Sequence, residues 1–581
     1  MIDLSLCNCN ECPLGVDGPK PVVPDREEVH KDVIFVGIGP ARSEIRDKEF
    51  FTGPSGKLAR RAAAALEYDS CEYTNCLLCY YSSEMSDSDV RRAAQCCKPR
   101  LEAEIESYSP KLIVAYGNLA LRTITEKDYG ITNVDGRVLH SPMGDVLAVQ
   151  HPAAVLRRTD TFIDFVESLK SGIRFLEGRY QQVTLEPKVV IANEDNIAGI
   201  CQTFANAKDL VIDLETGGKG FYPYGRDRDK IRCIVAAVDD ETGYIIPCYP
   251  SPYYEAKHPN FINHEGLRKV LSEKPGIYHN GQFDCGFLWQ EGIKAEIAFD
   301  TFLAHYMLDE RTYAHGLKPL SAKLLGAPSW EDELKEYLPS KKSSYDLIPD
   351  DVLFKYAAFD VLCTYQLKQI FEPQLSDCGV FYDLILPSTN MFVDLRHTGM
   401  AIDIGVMMEA DEILEVDLNT AMDELNEMIG YYVNPLSPKE MAEVLYDDLK
   451  MPILKRFGRS TSADALKNLP SNPILDKIIS IRELAKLRST YVISLAGYVD
   501  YDYRIHPFLK LFATVTGRIA AEDPSVLNVV KNAQIKRMYL PETGHWLVDM
   551  DQKQMELRWY VIQTGDDHLK DMLLSGDPHG I

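Results

Sequence analysis

Apolar runs bounded by polar or turn-forming residues recur along the chain. DVIFVGI (32–38), KLIVAYG (111–117) and DVLAVQ (145–150) read as buried strands, and KLARRAAAAL (57–66), between the first two, has helical spacing. This alternation predicts parallel β-α-β winding over residues 1–180. The polar stretch GRYQQVTLEPK (178–188) breaks the pattern and reads as a linker. A second α/β region opens at KDLVIDLET (208–216) and runs to about residue 372. Residues 376–505 read as mostly helical, with Leu, Ala and Glu at helical spacing in IRELAKLRST (481–490). Strand-like runs return in HPFLKLFATV (506–515) and HWLVDMD (545–551), followed by a helix-like ELRWYVIQ (556–563). The expected fold is a multidomain α/β chain without fixed-period repeats.

Composition narrows the class. A chain of 581 residues has room for roughly three to five domains. The hydrophobic fraction of 45% and charged fraction of 26% exclude a disordered, collagen-like or disulfide-scaffold chain. No apolar run approaches the ~18 residues of a membrane span, and Met-Ile-Asp-Leu lacks the features of a signal peptide. The expectation is a soluble cytoplasmic protein without a membrane partner. Net charge is −25, from 62 basic and 87 acidic residues. Alone, that argues against nucleic-acid binding, which needs Lys and Arg. A basic groove can nevertheless sit on an acidic body, and metal-dependent nucleases need carboxylates. Eight of the 14 Cys precede residue 100, a crowding that in an intracellular chain suggests metal ligation over disulfides.

The most informative residues lie in the middle. Asp213 and Glu215, in V-I-D-L-E-T, face the same side of a strand. Asn280 and Asp284 follow in H-N-G-Q-F-D-C. Tyr356 and Asp360 stand at i and i+4 in Y-A-A-F-D, on one face of a helix. Hard carboxylate oxygens suit Mg²⁺ or Mn²⁺, and two such ions ~3.5–4 Å apart serve phosphodiester hydrolysis. Read singly, each acid is equally explained as a surface charge. The ordered set D-x-E, N-x₃-D, Y-x₃-D resembles the three motifs of the DEDDy 3′→5′ exonucleases, the proofreading domain of family A DNA polymerases. The resemblance covers about residues 190–372. It implies a ribonuclease-H-like fold, removal of 3′-terminal nucleotides, and Tyr356 as the group orienting the attacking water. Asp300, in A-F-D-T, is either a supporting acid or a helix cap.

The C-terminal third carries a second resemblance. R-E-L-A-K-L-R-S-T-Y (482–491) is similar to the family A thumb helix that holds primer-template DNA, with Arg488 among its basic residues. T-G-R-I-A-A-E-D-P-S-V-L-N (516–528) resembles the segment in which Arg518 and Asn528 would contact DNA. D-Q-K-Q-M-E-L-R (551–558) resembles the first palm motif, which makes Asp551 a polymerase metal ligand at the end of a strand. Glu556 would then screen the ribose 2′ position, and Arg558 would be a structural residue of the palm. The family pattern continues with a fingers helix and a second palm carboxylate. G-D-P-H-G-I (576–581) resembles the segment just before that helix. One palm carboxylate does not hold two metals against a triphosphate. The expectation is therefore that a second polypeptide carries the fingers and the rest of the palm, and that dNTPs bind only with that partner.

The N-terminal region carries a third. Cys9 and Cys12 (C-N-E-C-P-L), Cys79 (T-N-C-L-L-C) and Cys97 (C-C-K-P-R-L) offer four thiolates for a [4Fe–4S] cluster or a zinc ion. Cys7, Cys71, Cys76 and Cys96 read as lone buried cysteines. V-G-I-G-P-A-R-S-E-I-R-D-K-E-F-F-T-G-P-S-G (36–56), T-N (74–75) and H-P-A-A-V-L-R (151–157) are similar to the motifs of iron–sulfur uracil-DNA glycosylases of families 4 and 5. The resemblance implies that Phe51 stacks on a flipped base, Asn75 pairs with its edge, and His151 stabilises charge on a departing uracil. Where family 4 has a carboxylate this chain has Ile38, as in family 5. Glu44 and Asp47 are alternative acids, or solvated loop residues.

Together these readings give four regions: a doubly wound glycosylase-like domain (1–185), a ribonuclease-H-like exonuclease (186–375), a mainly helical thumb (376–505) and a partial α+β palm (506–581). The expected function is DNA replication or repair, in a phage-style fusion acting in a host cytoplasm. Its cofactors would be two Mg²⁺ or Mn²⁺ ions and the cluster. Its partners would be primer-template DNA and single-stranded 3′ ends. The competing expectations are a non-catalytic replisome scaffold and an enzyme devoted to uracil excision.

Overall fold

The apolar runs of the first 180 residues meet in one sheet. In the computed structural model these are β1 (Val33–Gly37), β2 (Cys71–Asn75), β3 (Leu112–Tyr116), β4 (Val138–Ser141) and β5 (Gly144–Val149), in the order β2-β1-β3-β5-β4. Neighbours are parallel except the β4–β5 pair. The structure describes all residues except 1, 16–20, 26–29, 83–84, 159–160, 181–185, 219–222, 225–227, 312–314, 328–329, 341–342, 553 and 576–581. Part of the expected linker and the whole of G-D-P-H-G-I lie outside the described residues.

β1 and β3 are buried along their full length, as strands covered on both faces must be. Phe35, Val114 and Tyr116 face helices Pro54–Ala65 and Phe162–Leu176, packing with Ala59, Ala62, Phe165 and Leu169. Ile34, Val36, Ile113 and Ala115 face the opposite way, toward Leu101 and Ile105 of helix Asp87–Tyr108. β2 escaped the hydrophobic pattern because C-E-Y-T-N is half polar; it is an edge strand.

The second sheet has β6 (Lys188–Ile191), β7 (Val211–Thr216), β8 (Ile231–Ala237), β9 (Thr242–Pro247), β10 (Gly276–Tyr278) and β11 (Ile297–Asp300), in the order β11-β10-β7-β8-β9-β6. β7, β8 and β9 are antiparallel, while β10 runs parallel to β7 and β11. Helix Asp350–Phe371 packs across β7, β8 and β9. It comes close because Gly243 on β9 faces Ala358: a Cβ at Gly243 would stand 2.6 Å from that of Ala358. This close seat brings Tyr356 and Asp360 over β7.

Met1–Thr398 with His506–Leu527 form one compact unit, and Gly399–Ile505 with Asn528–Ile581 another. In the first, β14 (Phe508–Lys510) pairs with β15 (Ala520–Glu522). In the second, helices Ile404–Ile429 and Pro473–Arg488 pack Leu425, Ile478 and Ile481 into a core. Beside them β12 (Met400–Ile402) pairs with β13 (Arg504–Ile505) and β16 (Tyr539–Leu540). Among the described residues no helix is long and apolar enough to cross a membrane.

Two expectations need correction. HWLVDMD (545–551) forms no strand: Trp546, Val548 and Met550 are 90%, 73% and 88% exposed. A strand needs a hydrogen-bonded neighbour, and among the described residues none pairs with this segment. HPFLKLFATV is strand only over Phe508–Lys510, because its partner β15 is just as short.

Candidate active sites

On β7, Asp213 and Glu215 point to one side, and helix Asp350–Phe371 sets Asp360 above them. One oxygen from each of Asp213, Glu215 and Asp360 lies within 4.8 Å of the other two. Among the described residues, no other three His, Cys, Asp or Glu side chains converge so tightly. Asp284, in the first turn of helix Gln282–Gln290, is buried next to them but outside that set; its Oδ1 accepts from Leu214 N at 3.1 Å. Asp300 caps helix Thr301–Leu308 through Phe302 N (2.9 Å) and Leu303 N (3.1 Å). It also accepts from Asn280 N (3.1 Å) and Gly281 N (2.8 Å), so the cap holds the turn that leads to Asp284.

Crowded, buried carboxylates resist ionisation together. Burial, then Asp360, pushes Asp213 up to about 7. Burial and the neighbouring Asp213 raise Glu215 and Asp284 well above the carboxylate range. A divalent cation relieves that repulsion, and an all-oxygen donor set fits Mg²⁺ or Mn²⁺.

Two residues that sequence reasoning passed over complete this site. Lys318, from H-G-L-K-P-L, donates to Asp360 Oδ2 (2.5 Å) and Tyr356 Oη (2.6 Å). Trp330 Nε1 donates to Asp360 Oδ1 at 2.7 Å. Burial works against the Lys318 charge, but Asp360, Glu331 and Asp213 together outweigh it and hold the ammonium above its usual range. Burial, then Asp360, keeps the Tyr356 phenol protonated well above 10. Lys318 and Trp330 sit in no motif, and nothing in the local runs H-G-L-K-P-L and P-S-W-E-D-E marks them.

In the first sheet, Phe51, Asn75 and Gly37 converge. Phe51 is buried with φ of +57°, its ring centroid 5.1 Å from that of Tyr73. A Cβ at Gly37 would overlap Asn75 Oδ1 and stand 2.9 Å from Phe51 Cζ, so only glycine lets the two approach. Asn75 is buried, and its Nδ2 has no hydrogen-bond partner. Buried Arg100 fixes this turn by donating to Asn75 O (2.8 Å), Cys76 O (3.0 Å) and Glu104 (2.5 Å). His151 caps helix Pro152–Arg157, its Nδ1 accepting from Ala153 N at 3.1 Å, which leaves the proton on Nε2. Burial lowers His151 to about 4, so the ring is neutral at pH 7. His151 and Ile38 line one cleft with Gly117 and Gln150. Glu44 is not a solvated loop acid: it is buried and accepts from the backbone N–H groups of Ala41 and Phe51. Asp47 pairs with Arg46 at 2.8 Å.

Cys9, Cys12, Cys79 and Cys97 line a common cleft, joined there by Cys7 and Cys96. Those two are therefore not lone core residues. Cys76 is buried elsewhere in the core, and Cys71 lies 3.8 Å from Tyr73 Oη.

The polymerase-like residues have less support. Asp551 is exposed and lies in no strand. Arg488 is engaged by Asp411 (2.8 Å) and Glu415 (3.0 Å), which clamps the two long helices of its unit. Asn528 O accepts from Tyr491 Oη at 3.0 Å. Arg518 is exposed, and its carbonyl accepts from Thr514 Oγ1 at 3.0 Å. Glu556 and Arg558 fall in helix Met555–Thr564.

The fold and sites define a multidomain α/β protein with a buried cluster of carboxylates whose oxygens could hold a divalent cation. Comparison with known families makes the class specific: residues 24–171 match the uracil DNA glycosylase superfamily, 189–376 the 3′-5′ exonuclease family, and 405–579 DNA polymerase family A. The chain thus joins a glycosylase-superfamily domain and a 3′-5′ exonuclease domain to a family A polymerase segment. Exonuclease and polymerase domains of these families generally use divalent metal ions. The chain is 26% identical over 347 residues to the DNA polymerase of Escherichia phage T5, covering 53% of this chain and 41% of that one. It is 27% identical over 463 residues to DNA polymerase I of Chloroflexus aurantiacus, covering 74% and 46%. Against the DNA polymerase of Bacillus phage SP01 identity is 23% over 653 aligned positions, covering 94% and 69%. The chain spans less than half the length of the first two relatives.

Proposed function

We propose that this protein acts in DNA replication or repair by hydrolysing 3′-terminal phosphodiesters at the Asp213–Glu215–Asp360 centre. The observation that carries this reading is the convergence of those three carboxylates inside the exonuclease-family domain. Asp213, Glu215 and Asp360, with Asp284 beside them, would hold two Mg²⁺ or Mn²⁺ ions, which supply an activated water and stabilise the leaving oxygen. Tyr356 keeps its proton and therefore orients water by hydrogen bonding, without serving as the base. Asp300 acts through the backbone, keeping the Asn280–Asp284 turn in register. The test is a 5′-labelled primer on a template with Mg²⁺ and all four dNTPs. Shortening of the labelled strand that D213A abolishes is the expected result; shortening that survives D213A and E215A would favour a scaffold that merely positions DNA.

In this reading Asp551 is a metal ligand of the polymerase part, while Arg518, Asn528 and Arg488 contact primer-template DNA. A second polypeptide is proposed as the partner that supplies the fingers and remaining palm. Lengthening of the primer by residues 1–581 alone would overturn that requirement.

A second activity rests on the unpartnered Asn75 Nδ2 beside the Phe51 ring. In this reading Asn75 and Phe51 recognise uracil in DNA, and the neighbouring cleft lined by Ile38 and His151 offers the His151 Nε2–H as a further donor. Ile38 offers no acid, Glu44 is engaged by backbone N–H groups, and Asp47 is paired with Arg46, so recognition without excision is the favoured form. Alkali-labile sites in uracil-containing DNA would show excision instead. Cys9, Cys12, Cys79 and Cys97 hold a [4Fe–4S] cluster in this reading. Zinc held by the same four thiolates is the alternative. A cluster spreads its thiolates because each binds a different iron. Absorption near 400 nm in protein purified without air distinguishes the two.

A further inference from the structure

Lys318 has a seat built for a cation. Its ammonium meets both reacting groups of helix Asp350–Phe371, Asp360 Oδ2 at 2.5 Å and Tyr356 Oη at 2.6 Å. It also lies 4.5 Å from the centre of the Tyr356 ring and 5.6 Å from that of Trp330, within the range where an aromatic face attracts a cation. Trp330 binds the other oxygen of Asp360 at 2.7 Å. The charged neighbours that favour the ammonium are Asp360, Glu331 and Asp213. Both oxygens of Asp360, one of the three converging ligands, are thus already satisfied by the protein.

We propose that Lys318 is the exonuclease site's internal counter-ion, a positioning residue that holds Asp360 and Tyr356 together and competes with divalent metal for Asp360. The inference rests on the exonuclease reading. An ammonium cannot share Asp360 with a doubly charged ion at close range without strong repulsion. The divalent ion therefore enters against Lys318, and the site binds metal more weakly than its three carboxylates alone would. As a donor-only group, Lys318 occupies a lone pair of Tyr356 Oη and leaves the phenolic hydrogen for water or a phosphate oxygen.

The test is Mn²⁺ binding to the full chain without DNA, followed by the loss of the free-ion EPR signal. Binding absent from D213A is assigned to this site. Lys318→Met is expected to bind Mn²⁺ at the site at least about tenfold more tightly than the wild type, because an opposing charge has gone. Lys318→Arg keeps the charge and is expected to stay near the wild-type affinity. Lys318→Gln serves if Lys318→Met does not fold, as judged by circular dichroism. Unchanged or weaker binding in the neutral variants would overturn the proposal, as would equal tightening in Lys318→Arg. The primer-shortening assay separates this from the parent reading. Degradation lost in D213A, with no tightening in Lys318→Met, removes the counter-ion role and leaves the exonuclease standing. Degradation indifferent to D213A removes both.

Discussion

Asp213 and Asp551 share a sequence signature, an acid in an apolar strand-like run, yet the structure treats them in opposite ways. V-I-D-L-E-T becomes β7, with a neighbour on each side and a helix above, and its acids are fixed by that packing. H-W-L-V-D-M-D stays outside every sheet, and its apolar side chains are exposed. Carboxylates converge only where neighbouring elements fix them against one another; an apolar run beside an acid is not enough.

The sharpest way to break this contrast is mutational. Glu215→Ala is expected to lower 3′→5′ degradation at least about a hundredfold, whereas Asp551→Ala leaves it unchanged, as gel assays of the labelled strand would show. Equal losses would place both acids in one working site. Next in size is Asp300→Ala, which leaves the N–H groups of Asn280, Gly281, Phe302 and Leu303 without their acceptor. About 1–3 kcal/mol of stability is expected to go, seen as an earlier thermal transition, while Asp549→Ala in the exposed segment shifts nothing.

The pH dependence gives a smaller, signed effect. The folded carboxyl of Asp213 is raised to about 7, above its unfolded value. Its contribution is therefore fully present below the unfolded pKa and is lost as pH rises through 7. In EDTA, wild-type protein should lose thermal stability between about pH 4 and 7 more steeply than Asp213→Asn, and saturating Mn²⁺ should remove the difference. Identical slopes would mean that Asp213 is already ionised. The smallest effect is expected at His151, lowered to about 4 by burial. Uracil-DNA binding, measured by fluorescence anisotropy as a ratio to normal DNA, should stay flat from pH 8 to 5. It should fall only toward pH 4, where Nδ1 would gain a proton and lose the Ala153 N–H.

Much of this was legible in the chain. The strands β1, β3, β5 and β7 were readable because buried strands are continuous apolar runs, and the i, i+2 and i, i+4 spacings placed Asp213 with Glu215 and Tyr356 with Asp360. Lys318, Trp330 and Arg100 were not legible. Each acts on a partner 24 to 42 residues away, and periodicity carries no information about such pairings. β2 was hidden because an edge strand tolerates polar residues. The strand expected at 545–551 failed for the complementary reason: hydrophobic pattern records what a segment can pair with, and the pairing itself depends on the rest of the sheet.

Asp164 of helix Phe162–Leu176 binds Lys323 at 2.5 Å and Arg311 through both of its oxygens. Those two cations flank Lys318 in sequence. The usual dissection of such a chain, cutting near residue 186 to express the nuclease by itself, would strip both cations of their shared acid. A fragment made that way would carry all four carboxylates of the centre and still differ from the parent in how firmly the Lys318 segment is anchored. Its metal requirement and rate would then describe the fragment, and the uncut chain is the proper reference for either.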